Sequence, residues 1–267
     1  MGSQPLFSII TVCRNDLPRL RDTAASIARQ TCTDWEWVVI DAASSDGTPA
    51  YLESQPLEAM RWVSEPDRGI YDGFNKAAAL STGRYLIYIC AGDLLTAPET
   101  LAHARDCIAG HPSRDIYYGD AHELYADGSR FLRTARSHTW VWYSQFTHHQ
   151  SIFYDRRCFD IAKYREEHAI GGDYTFTAEL LHKGAAAIQM PFVVADFPVG
   201  GHSYRNYWQG EWDNWRCRRD ILGYSWATCA AILAVHFVVR IGRLALPAVY
   251  RQLRYTGRVG ARQQASA

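Results

Sequence analysis

Short apolar runs rich in branched residues alternate with helix-compatible segments through the first half of the chain. Phe7–Cys13 reads as a buried strand. Pro18 sits in the first turn of a helix expected to reach about Gln30, with Asn15 or Asp16 as its cap. Trp35–Ile40 reads as a second strand and ends in a turn-rich segment, Asp41 to Thr48, that leads into a short helix. Arg61–Ser64 is expected as a third strand, Ile70–Leu80 as a helix and Tyr85–Cys90 as a fourth, fully buried strand, with Asp93 just beyond it. Such alternation at short spacing is that of a mainly parallel central sheet covered by helices on both faces. Sheets of this kind bind ligands beyond the carboxyl ends of their strands. Asp41, Glu65, Asp67 and Asp93 all fall there.

The second half is less regular. Asp115–Tyr118 and His122–Leu132 suggest a strand and a hairpin turning at Asp127-Gly128. Gln150–Tyr154 and Ala187–Ala195 are strand candidates, and Gly171–Lys183 reads as a helix stopped by Gly184. At 267 residues and 48% hydrophobic content the chain holds one full-sized α/β domain with a small appendage. Its 28 basic and 28 acidic residues argue against a nucleic-acid binder that works by phosphate neutralisation alone. Seven scattered Cys without a C-x-x-C pair point to a reducing compartment, with no disulfide framework and no zinc site. No basic segment followed by an apolar stretch opens the sequence, so the catalytic body is expected in the cytoplasm.

Three stretches in order carry a specific resemblance: Phe7-Ser-Ile-Ile-Thr-Val12, Val39-Ile-Asp-Ala-Ala-Ser-Ser-Asp-Gly-Thr48 and Ser64-Glu-Pro-Asp-Arg-Gly-Ile-Tyr-Asp-Gly-Phe-Asn-Lys76. Together they resemble the family 2 inverting glycosyltransferases, and within them the branch that builds exopolysaccharides such as colanic acid. The similarity runs over roughly residues 5 to 205. It implies a GT-A nucleotide-diphospho-sugar transferase fold, with a catalytic domain over 1–205 (donor half about 1–115, acceptor half about 116–205).

The resemblance also implies roles. Thr11, Asp41, Arg68, Asn75 and Asp93 would bind the nucleotide-diphosphate sugar donor. Asp41 matches the aspartate that hydrogen-bonds the nucleobase, which suits a carboxylate facing an imide or guanine N–H. The competing reading is a turn Asp with local backbone bonds. Arg68 suits diphosphate oxygens, against a surface pair with Asp67. Asn75 would touch the donor sugar or ribose, or else tie down its loop. Asp93 resembles the last aspartate of a D-x-D metal motif, but Ala91-Gly92-Asp93 keeps one carboxylate only. Mg2+ or Mn2+ takes oxygen ligands and fills its shell with waters and substrate phosphates, so one protein carboxylate is chemically sufficient. His202, in a Gly-Gly-x-Ser loop, is the second metal candidate. Asp173 looks like the catalytic base, kept ionised by the start of its helix. His149 and Gln150 match a His-Gln pair on the acceptor side; as neighbours on a strand, His148 and His149 would face opposite ways.

The charge balance hides an asymmetry. From Ile221 onward there is no Asp, Glu or Lys but six Arg: Arg240, Arg243, Arg251, Arg254, Arg258 and Arg262. These fall within one arc of ~100° of a helix. Tyr204, Trp208, Trp212 and Trp215 precede them at helical spacing, and Ile221–Val239 is an uncharged run of 19 residues. Residues 206–267 therefore read as an amphipathic aromatic and basic helical tail for an anionic membrane surface, peripheral or half-inserted rather than spanning. That layout suits a glycan or polyprenyl-linked acceptor at the cytoplasmic face of the bacterial inner membrane. The competing occupant of the tail is a second copy of the chain, as in a homo-oligomer.

Two other functions compete. A sugar nucleotidyltransferase shares the sheet topology but needs a Gly-rich loop after the first strand, where this chain has Cys13-Arg-Asn-Asp16. A catalytically silent scaffold that binds nucleotide sugars is consistent with the missing metal carboxylate. A dinucleotide oxidoreductase is disfavoured, since no G-x-G-x-x-G follows a strand.

Overall fold

A computed structural model describes residues 4–55, 59–246, 249 and 258–259; the side chains of 202, 203, 258 and 259 lie outside that description. The order of elements is β1 (Phe7–Cys13), α1 (Leu17–Ala28), β2 (Trp35–Asp41), α2 (Thr48–Glu53), β3 (Met60–Ser64), α3 (Ile70–Leu80), β4 (Tyr85–Tyr88), β5 (Leu94–Leu95) and α4 (Thr100–Gly110). Then come β6 (Ile116–Leu124), β7 (Arg130–Arg133), β8 (Ile152–Asp155), α5 (Cys158–Ile161), α6 (Gly172–His182) and β9 (Ala187–Pro198). The C-terminal part adds α7 (His202–Arg205), α8 (Tyr207–Arg216), α9 (Trp226–Ala245) and β10 (Arg258–Val259).

The central sheet runs β10-β7-β6-β8-β4-β1-β2-β3. Strands β4, β1, β2 and β3 are mutually parallel. Beyond β4 the sheet turns antiparallel through β8 and β6, while β9 runs parallel to β6 and also pairs β5. The parallel half is the α/β alternation expected from the sequence. The antiparallel half arises where a hairpin and 3-10 turns replace crossover helices.

Period-two alternation explains the two-sided core. Phe7, Ile9 and Cys13 of β1 join Trp37, Val39, Tyr85 and Ile87 under α1 and α4. Ile10 and Val12 join Val38, Ile40, Leu86 and Tyr88 under α3 and α6. Each such fully buried side chain contributes ~1.5–3 kcal/mol. Ser8 is a polar exception at zero exposure: its hydroxyl donates to Glu36 at 2.7 Å, and the Gly83 N–H donates to both. A Cβ on Gly83 would stand 2.6 Å from Ser8 Oγ and 2.7 Å from the backbone of Phe7 and Ser8. Gly83→Ala is therefore expected to destabilise the fold by ~1–3 kcal/mol, read by urea denaturation; an unchanged midpoint would show that β1 and the loop before β4 can part freely.

Local expectations needed three corrections. Asp16 occupies the N-cap of α1 but makes no side-chain cap; the Leu17 N–H donates instead to Asp46 Oδ2 at 2.8 Å. His149–Ser151 is a 3-10 turn, not the start of a strand, and β8 begins at Ile152. The uncharged run Ile221–Val239 is not one helix: a π turn at Cys217–Ile221 and Gly223 at φ 70° separate α8 from α9, which extends through Arg240 and Arg243.

Buried bonds cross from α8 and the π turn into the body. Asp213, fully buried, accepts from the N–H groups of Ile170 and Gly171 at 2.8 and 3.0 Å. Arg218, also fully buried, donates to Tyr143 O at 2.6 Å and stacks over Tyr174. α9 docks by one stripe, where Cys229 and Ile232 are buried and His236 meets Glu211 at 2.8 Å. Its outer side leaves Val238 68% and Leu244 62% exposed. The phase of the helix matches the sequence reading, and the structure adds which side meets the body. Arg240 and Arg243 turn inward onto the rings of Tyr207 and Tyr204, and the apolar residues face out. Arg251, Arg254 and Arg262 lie outside the described residues.

Candidate active site

A cavity of about 390 Å³ opens beyond the ends of β1 and β4, and both Asp93 and Asp173 line it. Asp93 is placed by the tight turn after β4, where Gly92 adopts φ 98°. It is 5% exposed; its Oδ2 accepts from Gln150 Nε2 at 2.9 Å and from the Cys90 N–H at 3.2 Å. Burial pushes its carboxyl up to about 7, against the pull of Gln150, the Cys90 N–H and the Arg19 charge. Oδ1 takes no hydrogen bond among the described residues.

That arrangement fits a divalent cation in one respect. A buried carboxylate with one uncommitted oxygen on a cavity lacks the countercharge that Mg2+ or Mn2+ would bring, and such ions complete their shells with waters and phosphate oxygens. Among the described residues, no three of His, Cys, Asp or Glu gather into a metal-holding group. The side chain of His202, the other metal candidate, lies outside the description.

Asp173 stands in the first turn of α6, half-buried, with Oδ1 accepting from the Tyr174 N–H at 2.8 Å. The expected depression of its pKa by the helix start is corrected by the structure. Desolvation outweighs the Tyr174 N–H, the helix start and the Tyr71 hydroxyl, and holds the carboxyl up at about 6. A carboxylate in that range is still ionised at neutral pH and is a stronger proton acceptor than an ordinary Asp.

The 3-10 turn changes the reading of the His pair. Both His148 and His149 line the cavity, His148 against Phe197 and Glu123 and His149 against Phe74 and Tyr88. His149 is 6% exposed, lies against Phe74 and Tyr88, and burial drops it to about 3, so it is neutral. Both of its ring nitrogens lack a hydrogen-bond partner among the described residues. His148 Nε2 lies 3.1 Å from Glu123. Gln150, assigned from sequence to the acceptor side, bonds the donor-side Asp93.

A second cavity of about 610 Å³ shares Ile70, Tyr71, Cys90, Ala91 and Ala169 with the first. Arg68 lines it and pairs with Glu166 at 2.8 Å and Asp72 at 3.3 Å, not with Asp67. Asp41 lies fully buried behind its wall, where Cys13 and Ala42 are lining residues. Asp41 accepts from Ser44 N at 3.0 Å and Ser64 Oγ at 2.6 Å, and the Ser44 hydroxyl caps its other oxygen. That hydroxyl also receives the Asn15 N–H, so the loops after β1 and β2 interlock there.

Two residues expected at the donor site line neither of these two cavities. Thr11 is fully buried, donating to Ile89 O at 2.6 Å and accepting from Trp37 Nε1 at 2.9 Å. The Asn75 amide is spent on the Tyr164 backbone at 2.8 and 3.0 Å and fixes a loop. Sequence reasoning missed Arg19 and Tyr71, which line the first cavity, and Asp213, whose two bonds hold the turn that presents Asp173. Arg19 and Tyr71 belong to ordinary amphipathic helices, and Asp213 carried no local signal.

Comparison with known proteins agrees with this fold. Residues 8–183 match the model of Glycosyl transferase family 2. The chain is 31% identical over 208 residues to the PGL/p-HBAD biosynthesis glycosyltransferase of Mycobacterium bovis (strain BCG / Pasteur 1173P2), across 72% of this chain and 77% of that one. Among solved structures it resembles the mannosyltransferase PcManGT from Pyrobaculum calidifontis in complex with GDP-Man and Mn2+, with TM-score 0.67, 20% identity and coverage of 94% and 84%. S. aureus TarS 1-349 in complex with UDP-GlcNAc gives TM-score 0.67 at 17% identity, covering 93% and 78%. The chain is therefore a glycosyltransferase of GT-A-like fold and belongs to glycosyl transferase family 2.

Proposed function

We propose that this enzyme moves a sugar, with inversion, from a nucleoside-diphosphate sugar to a lipid-linked glycan acceptor in surface polysaccharide or glycolipid synthesis. The observation that carries this reading is that Asp93, from the donor half, and Asp173, from the acceptor half, line one cavity. The complexes named above, with GDP-Man and Mn2+ and with UDP-GlcNAc, support the donor class. The narrower branch, exopolysaccharide synthesis of the colanic acid kind, rests on the three motifs.

In this reading the acceptor hydroxyl attacks the anomeric carbon from the face opposite the diphosphate. The new C–O bond forms as the bond to the diphosphate breaks, and the hydroxyl proton passes to Asp173. Asp93 Oδ1 would hold Mg2+ or Mn2+, which when bound neutralises charge on the departing diphosphate. Gln150 keeps the other Asp93 oxygen in place. Arg68 reaches diphosphate oxygens once it exchanges Glu166 for them, and Asp41 reaches a base N–H once the Ser44 hydroxyl swings away. His149 offers an acceptor-side ring nitrogen. A thermal-shift panel of UDP-, GDP- and dTDP-sugars with Mn2+ tests the donor site. One of the three is expected to raise Tm, and a flat response to all would count heavily against it.

Residues 1–205 carry transfer in this reading, and 206–267 attach the enzyme to the cytoplasmic face of the bacterial inner membrane. Support comes from α9, 20 residues with mean hydropathy 1.6 in its most apolar window, 17% of which is buried. One side lies on α7 and α8 through His236 with Glu211, Arg240 over Tyr207 and Arg243 over Tyr204, which suits a peripheral or half-inserted helix better than a span. Placing carboxylates on the exposed face, as in Val238→Glu with Ile241→Glu, is expected to lower vesicle affinity by about tenfold or more. Unchanged cosedimentation with vesicles would defeat the membrane reading, and a shift from dimer to monomer instead would favour a homo-oligomer.

A further inference from the structure

The turn that presents Asp173 carries two glycines whose backbone does not ask for glycine. Gly171 sits at φ −91°, and Gly172 is not among the glycines with positive φ. Both are required by what lies against them. A Cβ on Gly171 would stand 2.8 Å from Asp213 Cβ and 2.9 Å from Asn214 Oδ1. One on Gly172 would stand 2.6 and 2.7 Å from ring atoms of Tyr71. That ring cannot give way easily, being 5% exposed and stacked on Tyr164 at 5.8 Å and 9°.

The polar atoms follow the same clamp. The Ile170 N–H donates to Asp213 at 2.8 Å, and the Ile170 carbonyl accepts from the Tyr71 hydroxyl. No side chain caps α6 at Gly171, and the Tyr71 oxygen faces the N–H groups of Gly172 and Asp173, which the helix itself cannot satisfy. The hydroxyl also borders the Asp173 carboxyl. Tyr71 lies in the first turn of α3 and lines both the cleft of Asp93 and Asp173 and the cavity of Arg68. We propose that Tyr71 is a positioning residue for transfer: its ring and hydroxyl, together with Asp213, fix the Gly171-Gly172 turn and so hold the Asp173 carboxylate at the reaction cleft. The proposal rests on the reading of Asp173 as base and adds the group that aims it.

Tyr71→Phe keeps the ring against Gly172 and removes the hydroxyl. It is expected to lower kcat by about 10–10²-fold, with donor KM and the nucleotide-sugar thermal shift unchanged. D173N/Y71F should transfer no more slowly than D173N, since a residue that acts through the carboxylate then has nothing left to position. The hydroxyl favours the charged carboxyl, so its loss should move the acid limb of kcat/KM upward from about 6. The profile is taken at saturating Mn2+, which keeps Asp93 ionised. Tyr154, Tyr164 and Cys90 also feel the charge of Asp173, but burial keeps all three protonated through this range. 3-Fluorotyrosine at position 71, a stronger donor of nearly the same shape, should move the limb downward and covers the case in which the Phe variant misfolds. A purely structural role would move Tm and leave the limb in place. Full kcat in Y71F, an effect that adds to that of D173N, or a limb unmoved by either replacement overturns the proposal. If D173N abolishes transfer and Y71F does not slow it, the proposal falls alone; if D173N keeps full transfer, the base reading falls and takes the proposal with it.

Discussion

Asp173→Asn lowers sugar transfer by about 10²–10⁴-fold and leaves nucleotide-sugar binding in place. The amide keeps the shape of the side chain and can still accept from the Tyr174 N–H, but it cannot take a proton from the attacking hydroxyl. A silent scaffold predicts the opposite, namely no transfer to lose. The wild-type pH profile adds a second readout. A base works ionised, and burial holds this carboxyl at about 6. The rate constant kcat/KM should therefore fall as pH drops through about 6, where an ordinary Asp would hold to about 4. Stability carries the same signature with its own sign. Because the folded pKa lies above the unfolded one, stability declines as pH rises from about 4 to about 6 and then levels. At neutral pH the variant should gain on the order of 1 kcal/mol, part of the full shift being screened by the cleft's solvent. A variant with full transfer activity would remove Asp173 from the mechanism.

Asp93→Asn is the second large effect. Transfer should fall by roughly 10²–10³-fold, and the response of donor binding to Mn2+ should vanish. The fold is not expected to suffer, because an Asn oxygen can keep the Gln150 bond of 2.9 Å and the Cys90 N–H bond of 3.2 Å. Titrating Mn2+ against the nucleotide-sugar thermal shift separates the cases. Donor binding that tightens with Mn2+ in wild type and is indifferent to it in the variant places the ion at Asp93. The same Mn2+ response in both would mean that the ion, if used, sits elsewhere.

These two carboxylates were legible for different reasons. Asp93 stands out by following a buried strand, where a ligand site is expected, whereas Asp173 was singled out by the resemblance, which matches it to the family's catalytic base. Their partners were not legible. Gln150 reaches Asp93 across 57 residues of chain, and Asp213 holds the Gly171 backbone across 42. Thr11 and Asn75 sat within matching motifs, yet the fold spends Thr11 on Ile89 and Trp37 and Asn75 on Tyr164. A motif fixes which residue is present, while the packing around it decides whether its polar atoms face a cavity or pay the cost of burial elsewhere.

Continuous apolar runs determined by themselves that β1, β2 and β4 are strands of a parallel sheet buried on both faces, because such a run leaves no polar side to expose, while edge strand β3 leaves Arg61 and Ser64 exposed. Helical phase likewise placed Arg240 and Arg243 on one side of α9. Only the tertiary structure decided which way that side turns, by giving the guanidinium groups Tyr207 and Tyr204 to lie on. It also set the carboxyl of Asp173 above its usual range, since desolvation depends on which atoms surround a group and not on the helix turn that bears it.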